Sequence, residues 1–246
     1  MVALGRATRL LPWLPLEPKA YLATIRFGSA TDTLDATGTV TASAPAAHLD
    51  RAAVAAALAA MTGQQLQVPP MVSAVKVGGE RLYAKARRGE QVERAPRPVT
   101  VHAMDLLEFT PGEAAEAVVD VRCSGGTYVR ALADDLGRDL GSAAHLAALR
   151  RTAVGAFGLE RASDSAALRA AAEAGRLGEL LLSPAAAMAG VPARHLAADE
   201  AAALAVGRPL AASGRPGPVA AVDPDGRLLA VVEDERGRAR PRVVLA

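Results

Sequence analysis

Apolar residues alternate over 20–27, where Tyr21, Ala23, Ile25 and Phe27 fall on one face and Leu22, Thr24 and Arg26 on the other. That period of two predicts a half-buried strand. The polar run SATDTLDATG that follows predicts a loop or turn. From Asp50, a residue suited to cap a helix N-terminus, Val54, Leu58 and Met61 recur at helical spacing until Gly63 supplies a stop. VTVHAMDLLEF at 99–109 and AVVDVRC at 117–123 read as strands on either side of Pro111-Gly112, which predicts a hairpin. Over 127–140, Val129, Leu132, Leu136 and Leu140 form a helical stripe that Gly141 terminates. Arg130, rotated about 100° from Val129, leaves that stripe.

The spacing of Leu146 and Leu149 predicts a second short helix ending in Arg150-Arg151, and the Ala- and Leu-rich run over 165–182 predicts a longer one closed by Pro184. From about residue 190 the pattern changes. A helix over 199–206 ends at Gly207, VAAVD and LLAVVE are joined by Pro224-Asp225-Gly226, and RVVL follows at 242–245, a small β-rich module. Between these regions, residues 66–98 are broken by Pro69, Pro70, Gly78, Gly79, Gly89, Pro96 and Pro98. Basic residues gather there: Lys76, Arg81, Lys85, Arg87, Arg88, Arg94 and Arg97 against Glu80, Glu90 and Glu93, a local charge above the net +2 of the whole 246-residue chain. A Gly- and Pro-interrupted basic run reads either as a solvated face or as an arm for phosphates, with Tyr83 available to stack.

Composition adds boundaries. The hydrophobic fraction of 51% is largely Ala, and aromatic residues make up only 3%, so Leu and Val must supply most of the buried volume. The single cysteine, Cys123, has no internal partner, and no Cys or His spacing suggests zinc, so a structural metal is not expected. Pro12, Pro15 and Pro18 interrupt the only early apolar stretch, which excludes a signal h-region there and makes the cytoplasm the expected compartment, with no membrane association.

Four polar residues stand out against this background. Taken alone, Tyr21 reads first as a core aromatic beside Ile25 and Phe27, since aromatic residues in strands are usually packing, and only second as a ring for stacking on a base. Asp32 and Asp35 would be turn formers. Arg130 would be a helix-surface arginine bridging to Asp134. However, Thr-Asp-Thr-x-Asp-x-x-Gly at 31–38, Gly-Thr-Tyr-x-Arg at 126–130 followed by Asp-Leu-Gly, Leu149-Arg150-Arg151, PPMVSAVKVGGERLYAKARRGE at 69–90 and the lead-in GRATRLLPWLPLEPKAYLATIRFG at 5–28 together resemble the TruB family of tRNA pseudouridine synthases, from residue 1 almost to the C-terminus.

The resemblance implies an α+β catalytic domain over 1–188, a mixed, mostly antiparallel sheet with packed helices and an RNA-gripping insertion at about 66–98, then a PUA-like domain over 189–246. It implies isomerisation of a T-loop uridine (position 55) of tRNA to pseudouridine by a monomer, with the tRNA T-stem-loop as partner and no cofactor or metal. Tyr21 matches an active-site tyrosine, and Asp35 and Arg130 match an ion-pair network that surrounds the catalytic aspartate. Arginine suits that place because its planar fork stays charged and grips carboxylate bidentately. Tyr128 and Leu149 match the uracil pocket, and Ser73, Lys76, Arg81, Tyr83, Arg87, Arg88 and Arg150 are implied RNA contacts.

One element of the family pattern is missing. Members carry the nucleophilic aspartate in a Gly-x-Leu-Asp-Pro segment placed just upstream of the part matched here, and that string is not among these residues. The expectation is that Met1 is a false start, that the chain as written is an inactive form incomplete at its N-terminus, and that upstream in-frame codons supply the segment. A degraded gene and a non-catalytic tRNA-elbow-binding protein are the alternatives.

Overall fold

In the computed structural model, which describes residues 1–245, the alternating run is strand β1 (Lys19–Phe27), with Ala23, Ile25 and Phe27 buried and Arg26 exposed. The polar loop after it contains a two-stranded ribbon, β2 (Ser29–Thr31) and β3 (Val40–Ser43). Helix α1 (Arg51–Ala60) begins where the Asp50 carboxylate accepts from the Ala53 amide at 2.8 Å, and Val54 and Leu58 are fully buried. The chain reverses at Gly63, whose φ of +105° favours glycine, and continues as β4 (Gly63–Gln67). The basic segment folds as a small ribbon, β5 (Lys76–Val77) and β6 (Glu80–Arg81), and one short helix, α2 (Leu82–Arg87). The expected hairpin is β7 (Arg97–Thr110) and β8 (Glu116–Cys123). Helix α3 (Val129–Asp139) and strand β9 (Ala144–Val154) follow.

These elements form one of two compact units, residues 17–155. Its sheet runs β9-β1-β8-β7-β4 with every neighbouring pair antiparallel. Val54 and Leu58 of α1 and Val129, Leu132 and Leu136 of α3 pack on the face that carries Ala23, Ile25, Phe27, Val101, Val119 and Val121. Burying each of the larger side chains contributes about 1.5–3 kcal/mol. Gly137 lets α3 approach the start of β9, since a Cβ there would lie 2.6 Å from the Ala144 amide nitrogen.

The short helix expected around Leu146 and Leu149 is not formed: these residues belong to β9, paired with β1. The physical reason is a register shift. Leu146 lies opposite Ile25 and Leu149 opposite Ala23, because the pairing skips one residue between Thr24 and Ile25. The bulge brings both leucines to one face at a spacing of three, which mimics a helical period. Strand β4 was likewise hidden, because Gly-Gln-Gln-Leu-Gln has no apolar alternation and is held as a strand by β7 alone.

The second unit comprises Met1–Leu16 and the residues from Ala156 onward. Gly5–Trp13 is a 3-10 helix. After the two-residue strand β10 (Phe157–Gly158), the long helix expected over 165–182 is split. Asp164 caps α4 (Ser165–Glu173), the chain turns at Gly175 with φ +68°, and Leu177–Leu180 is a separate 3-10 turn. Pro184 opens the next helix rather than closing the last, standing at the first turn of α5 (Pro184–Ala187), where its missing N–H costs nothing.

The C-terminal part is a small PUA-like sheet built from β11 (Ala193–His195), β12 (Leu210–Ala211), β13 (Val219–Val222), β14 (Leu228–Glu235) and β15 (Arg238–Val244), in the order β11-β13-β14-β15-β12, with α6 (Ala198–Ala205) beside it. Leu10, Met188, Val191, Val231 and Val243 form one core cluster, and Leu204 of α6 packs with Val219, Ala230 and Val232 in another. Burial on both faces explains why β13 and the start of β14 read as continuous apolar runs. No helix among the described residues is long and apolar enough to cross a membrane, and none of their His, Cys, Asp and Glu side chains cluster as a metal would need.

Candidate active site

The TDTLDATG loop is fastened to β9 by its backbone. The Ala36 amide donates to the Leu146 carbonyl and the Leu146 amide to the Leu34 carbonyl, both at 3.0 Å, around an isolated parallel bridge between Asp35 and Leu146. Leu34 adopts φ +63°, a left-handed conformation that a non-glycine residue holds only under constraint. Gly38 closes the loop, and there a Cβ would meet Thr33 Oγ1 at 2.3 Å and Asp32 Oδ1 at 2.4 Å, so no larger residue fits without movement.

This loop delivers the Asp35 carboxylate to Arg130. Asp35 Oδ2 accepts from Arg130 Nη1 at 2.9 Å, and Oδ1 accepts from the Thr33 hydroxyl at 2.8 Å, the Thr37 hydroxyl at 2.6 Å and the Thr37 amide at 3.1 Å. Arg130 also donates to the Thr33 carbonyl through Nη1 and to the Val72 carbonyl, at 2.6 Å, through Nη2. The two side chains are 24% and 21% exposed, well short of a freely solvated surface pair. Burial pushes the Asp35 carboxyl up, but the hydrogen bonds from Thr37 and Thr33 and the Arg130 charge outweigh it and hold its pKa below the ordinary carboxylate value. The bridge from Arg130 to Asp134 does not form, since Asp134 pairs with Arg138. Asp32 remains a turn former, accepting from the Thr39 amide at 2.8 Å.

Above the ion pair lies a cleft of about 430 Å³ lined by Tyr21, Asp35, Thr37, Tyr128, Arg130, Leu146 and Leu149, among others. Tyr21 comes from β1. Burial, reinforced by the neighbouring Cys123 and opposed by Arg151, raises its phenol pKa, so the hydroxyl is neutral and able to donate. Tyr128 immediately precedes α3, and Leu149, 46% exposed, projects from β9. The cleft thus offers two aromatic rings, an aliphatic wall and a fixed charge pair, a lining suited to a flat, polar-edged ring. Arg150 is exposed on β9 outside this lining.

The arm places its expected contacts unevenly. Arg81 and Arg87 flank the Tyr83 ring at 6.0 and 5.6 Å from its centroid, and Lys76, Arg81, Lys85 and Arg87 have no carboxylate partner among the described residues. Arg88 differs, since it is paired with both Glu80 and Glu90 at 2.6 Å. Ser73 is buried, and its hydroxyl has no hydrogen-bond partner among the described residues. Three contributors were not singled out in the sequence: Thr33, Thr37 and the Val72 carbonyl. Both threonines lie within residues 31–38, Thr33 at a fixed position of the motif and Thr37 at a variable one, whereas a main-chain acceptor leaves no mark in a sequence.

Family models cover most of the chain. The N-terminal domain of TruB family pseudouridylate synthases matches residues 1–129, the tRNA pseudouridylate synthase B C-terminal domain 130–186, and the C-terminal domain of tRNA pseudouridine synthase II 191–246. The chain is 46% identical over 251 residues to tRNA pseudouridine synthase B of Thermobifida fusca (strain YX), spanning 100% of this chain and 84% of that protein. It is 49% identical over 246 residues to the protein of the same name from Nocardia farcinica (strain IFM 10152), spanning 100% and 79%. Among solved structures, a chain of a Cbf5-Nop10-Gar1 complex matches with a TM-score of 0.71 at 22% identity, over 100% of this chain and 70% of that one. A chain of an H/ACA RNP bound to a substrate RNA containing 2'-deoxyuridine matches with 0.71 at 19% identity, over 99% and 71%. At these identities the solved structures share the fold, which agrees with the α+β reading of the sequence.

Proposed function

We propose, since the chain belongs to the TruB family of pseudouridylate synthases, that its cleft receives a T-loop uridine of tRNA, at position 55, for isomerisation to pseudouridine. The observation that carries this reading is the Asp35–Arg130 pair, brought together from 95 residues apart at the base of a cleft with two tyrosines. An enzyme working on a base must first draw it from its stack, and Tyr21, Tyr128 and Leu149 supply the surfaces that would receive it. Of the cleft's lining residues only Asp35 carries a carboxylate, and its oxygens are taken up by Thr33, Thr37 and Arg130. Its role in this reading is therefore to hold Arg130, which orients the attacking carboxylate of the family's Gly-x-Leu-Asp-Pro segment. The basic arm, with Lys76, Arg81, Tyr83, Lys85 and Arg87, would hold the T-stem-loop backbone.

In this proposal residues 1–188 are the catalytic domain, with the cleft built by residues between 21 and 149, residues 189–246 form the PUA-like domain, and the acting species is a cytoplasmic monomer. The test places a Gly-x-Leu-Asp-Pro segment ahead of residue 1 and follows tritium release from C5 of labelled tRNA uridine, the hydrogen lost when the base is rejoined through that carbon. Turnover is expected there, and Arg130→Ala should abolish it while leaving tRNA affinity nearly unchanged. An Arg130→Ala protein that still turns over would defeat the assignment.

A further inference from the structure

Gln67, the last residue of β4, is 5% exposed and commits both ends of its side-chain amide to one residue 61 positions away. Its Oε1 accepts from the Tyr128 amide at 2.8 Å, and its Nε2 donates to the Tyr128 carbonyl at 3.1 Å. The side chain thereby does what the backbone of a paired strand would do. Tyr128 is the residue before the first turn of α3, where no side chain caps the helix. Its carbonyl also accepts from the Ala131 and Leu132 amides, so the bond from Gln67 joins the network that sets where the helix begins. Two cleft groups depend on that point: the ring of Tyr128 itself, and Arg130 two residues on.

Gln67 also stands at the root of the basic arm. Val68, Pro69 and Pro70 follow it directly, and the neck is tied again where the Pro69 carbonyl accepts from Arg94 at 3.0 Å and the Val72 carbonyl from Arg130 at 2.6 Å. The first and last of these three ties end on the start of α3.

We propose that Gln67 is a positioning residue of the cleft: by clamping the Tyr128 backbone it presents the Tyr128 ring and the Arg130 guanidinium together to the incoming base, and links them to the root of the arm. This rests on the reading of the cleft as a uridine site. It assigns Gln67 no contact with the base, so its loss should weaken recognition of the base and spare contacts to the RNA backbone.

The experiment uses the full chain and two T-stem-loop RNAs, identical except that the target nucleotide is uridine in one and abasic in the other. The native protein should prefer the uridine RNA. Gln67→Leu, similar in size but unable to hydrogen-bond, leaves the Tyr128 N–H without its partner and removes one of the three donors to its carbonyl, and should lose roughly tenfold of that preference. Its affinity for the abasic RNA, carried by the arm's phosphate contacts, should stay within about twofold. Gln67→Glu separates positioning from mere packing and decides the matter if the leucine variant does not fold. As a carboxylate it turns a second acceptor on the Tyr128 carbonyl and should lose the preference. Once protonated it regains the pattern of one acceptor and one donor, and burial raises a carboxyl's pKa, so the preference should return as pH is lowered. Unchanged preference in Gln67→Leu, or no recovery in Gln67→Glu, overturns the proposal while the uridine reading stands. A native protein that binds both RNAs equally removes the uridine reading, and this inference with it.

Discussion

Asp35 shows how a single carboxylate is made a structural charge. Three hydrogen bonds reach one of its oxygens and an arginine the other, on a loop whose Leu34 is held at positive φ. Its folded pKa lies below the unfolded value, so the stability it contributes is fully present above the unfolded pKa, about 3.9, and is lost as pH falls through the folded one. Asp35→Asn should therefore lower stability at neutral pH and flatten the acid limb, with the two proteins converging at the lowest pH; denaturant titrations across pH 2–7 measure this, and parallel curves would refute it. The partners of this group were legible in the sequence to different degrees. Asp35 and Arg130 were visible because the motifs that hold them are not patterns that packing produces. Gln67 was not, because a glutamine ending a polar pentapeptide gains its meaning only from a backbone 61 residues away.

At the scale of elements, regular burial was readable and irregular pairing was not. β1, α1, the β7-β8 hairpin and α3 each bury a stripe with the period of their own conformation, so the sequence pattern predicted them. β9 carries a bulge that imitates a helical spacing, and β4 has little apolar content, so both are fixed by partners distant in the chain. The arm raises a finer point, because charge read along a sequence is not charge free to bind. Arg87 is exposed and lacks a carboxylate partner among the described residues, whereas Arg88 is held between Glu80 and Glu90. Arg87→Ala should reduce the salt dependence of tRNA binding by about one phosphate contact or less, and Arg88→Ala by less than that. Affinities measured from low to high salt decide it, and a larger slope change for Arg88 would show that its acidic partners release it to the RNA.

At the scale of the whole molecule, each unit has a core of its own, and the chain enters the second unit twice. Leu10, 1% exposed, packs with Met188, Val231 and Val243, and Arg6 and Arg9 donate to the carbonyls of Leu245 and Val244. Leu10→Ala should cost about 2–5 kcal/mol in that unit and appear as lost amide protection in β14, with the amides of β1 and β8 keeping theirs. Equal loss in both places would mean that the units unfold together. This discontinuous path was not readable in advance, because neither Leu10 nor Val243 carries any mark of its partner. It has a consequence for how the protein is made. At about 5–20 residues per second, Leu10 leaves the ribosome roughly 10–50 s before the strand that covers it has been synthesised. Until β15 is made, the apolar Leu-Leu-Pro-Trp-Leu segment lacks part of its native cover, so a nascent chain stalled before that strand would offer it to chaperones and proteases.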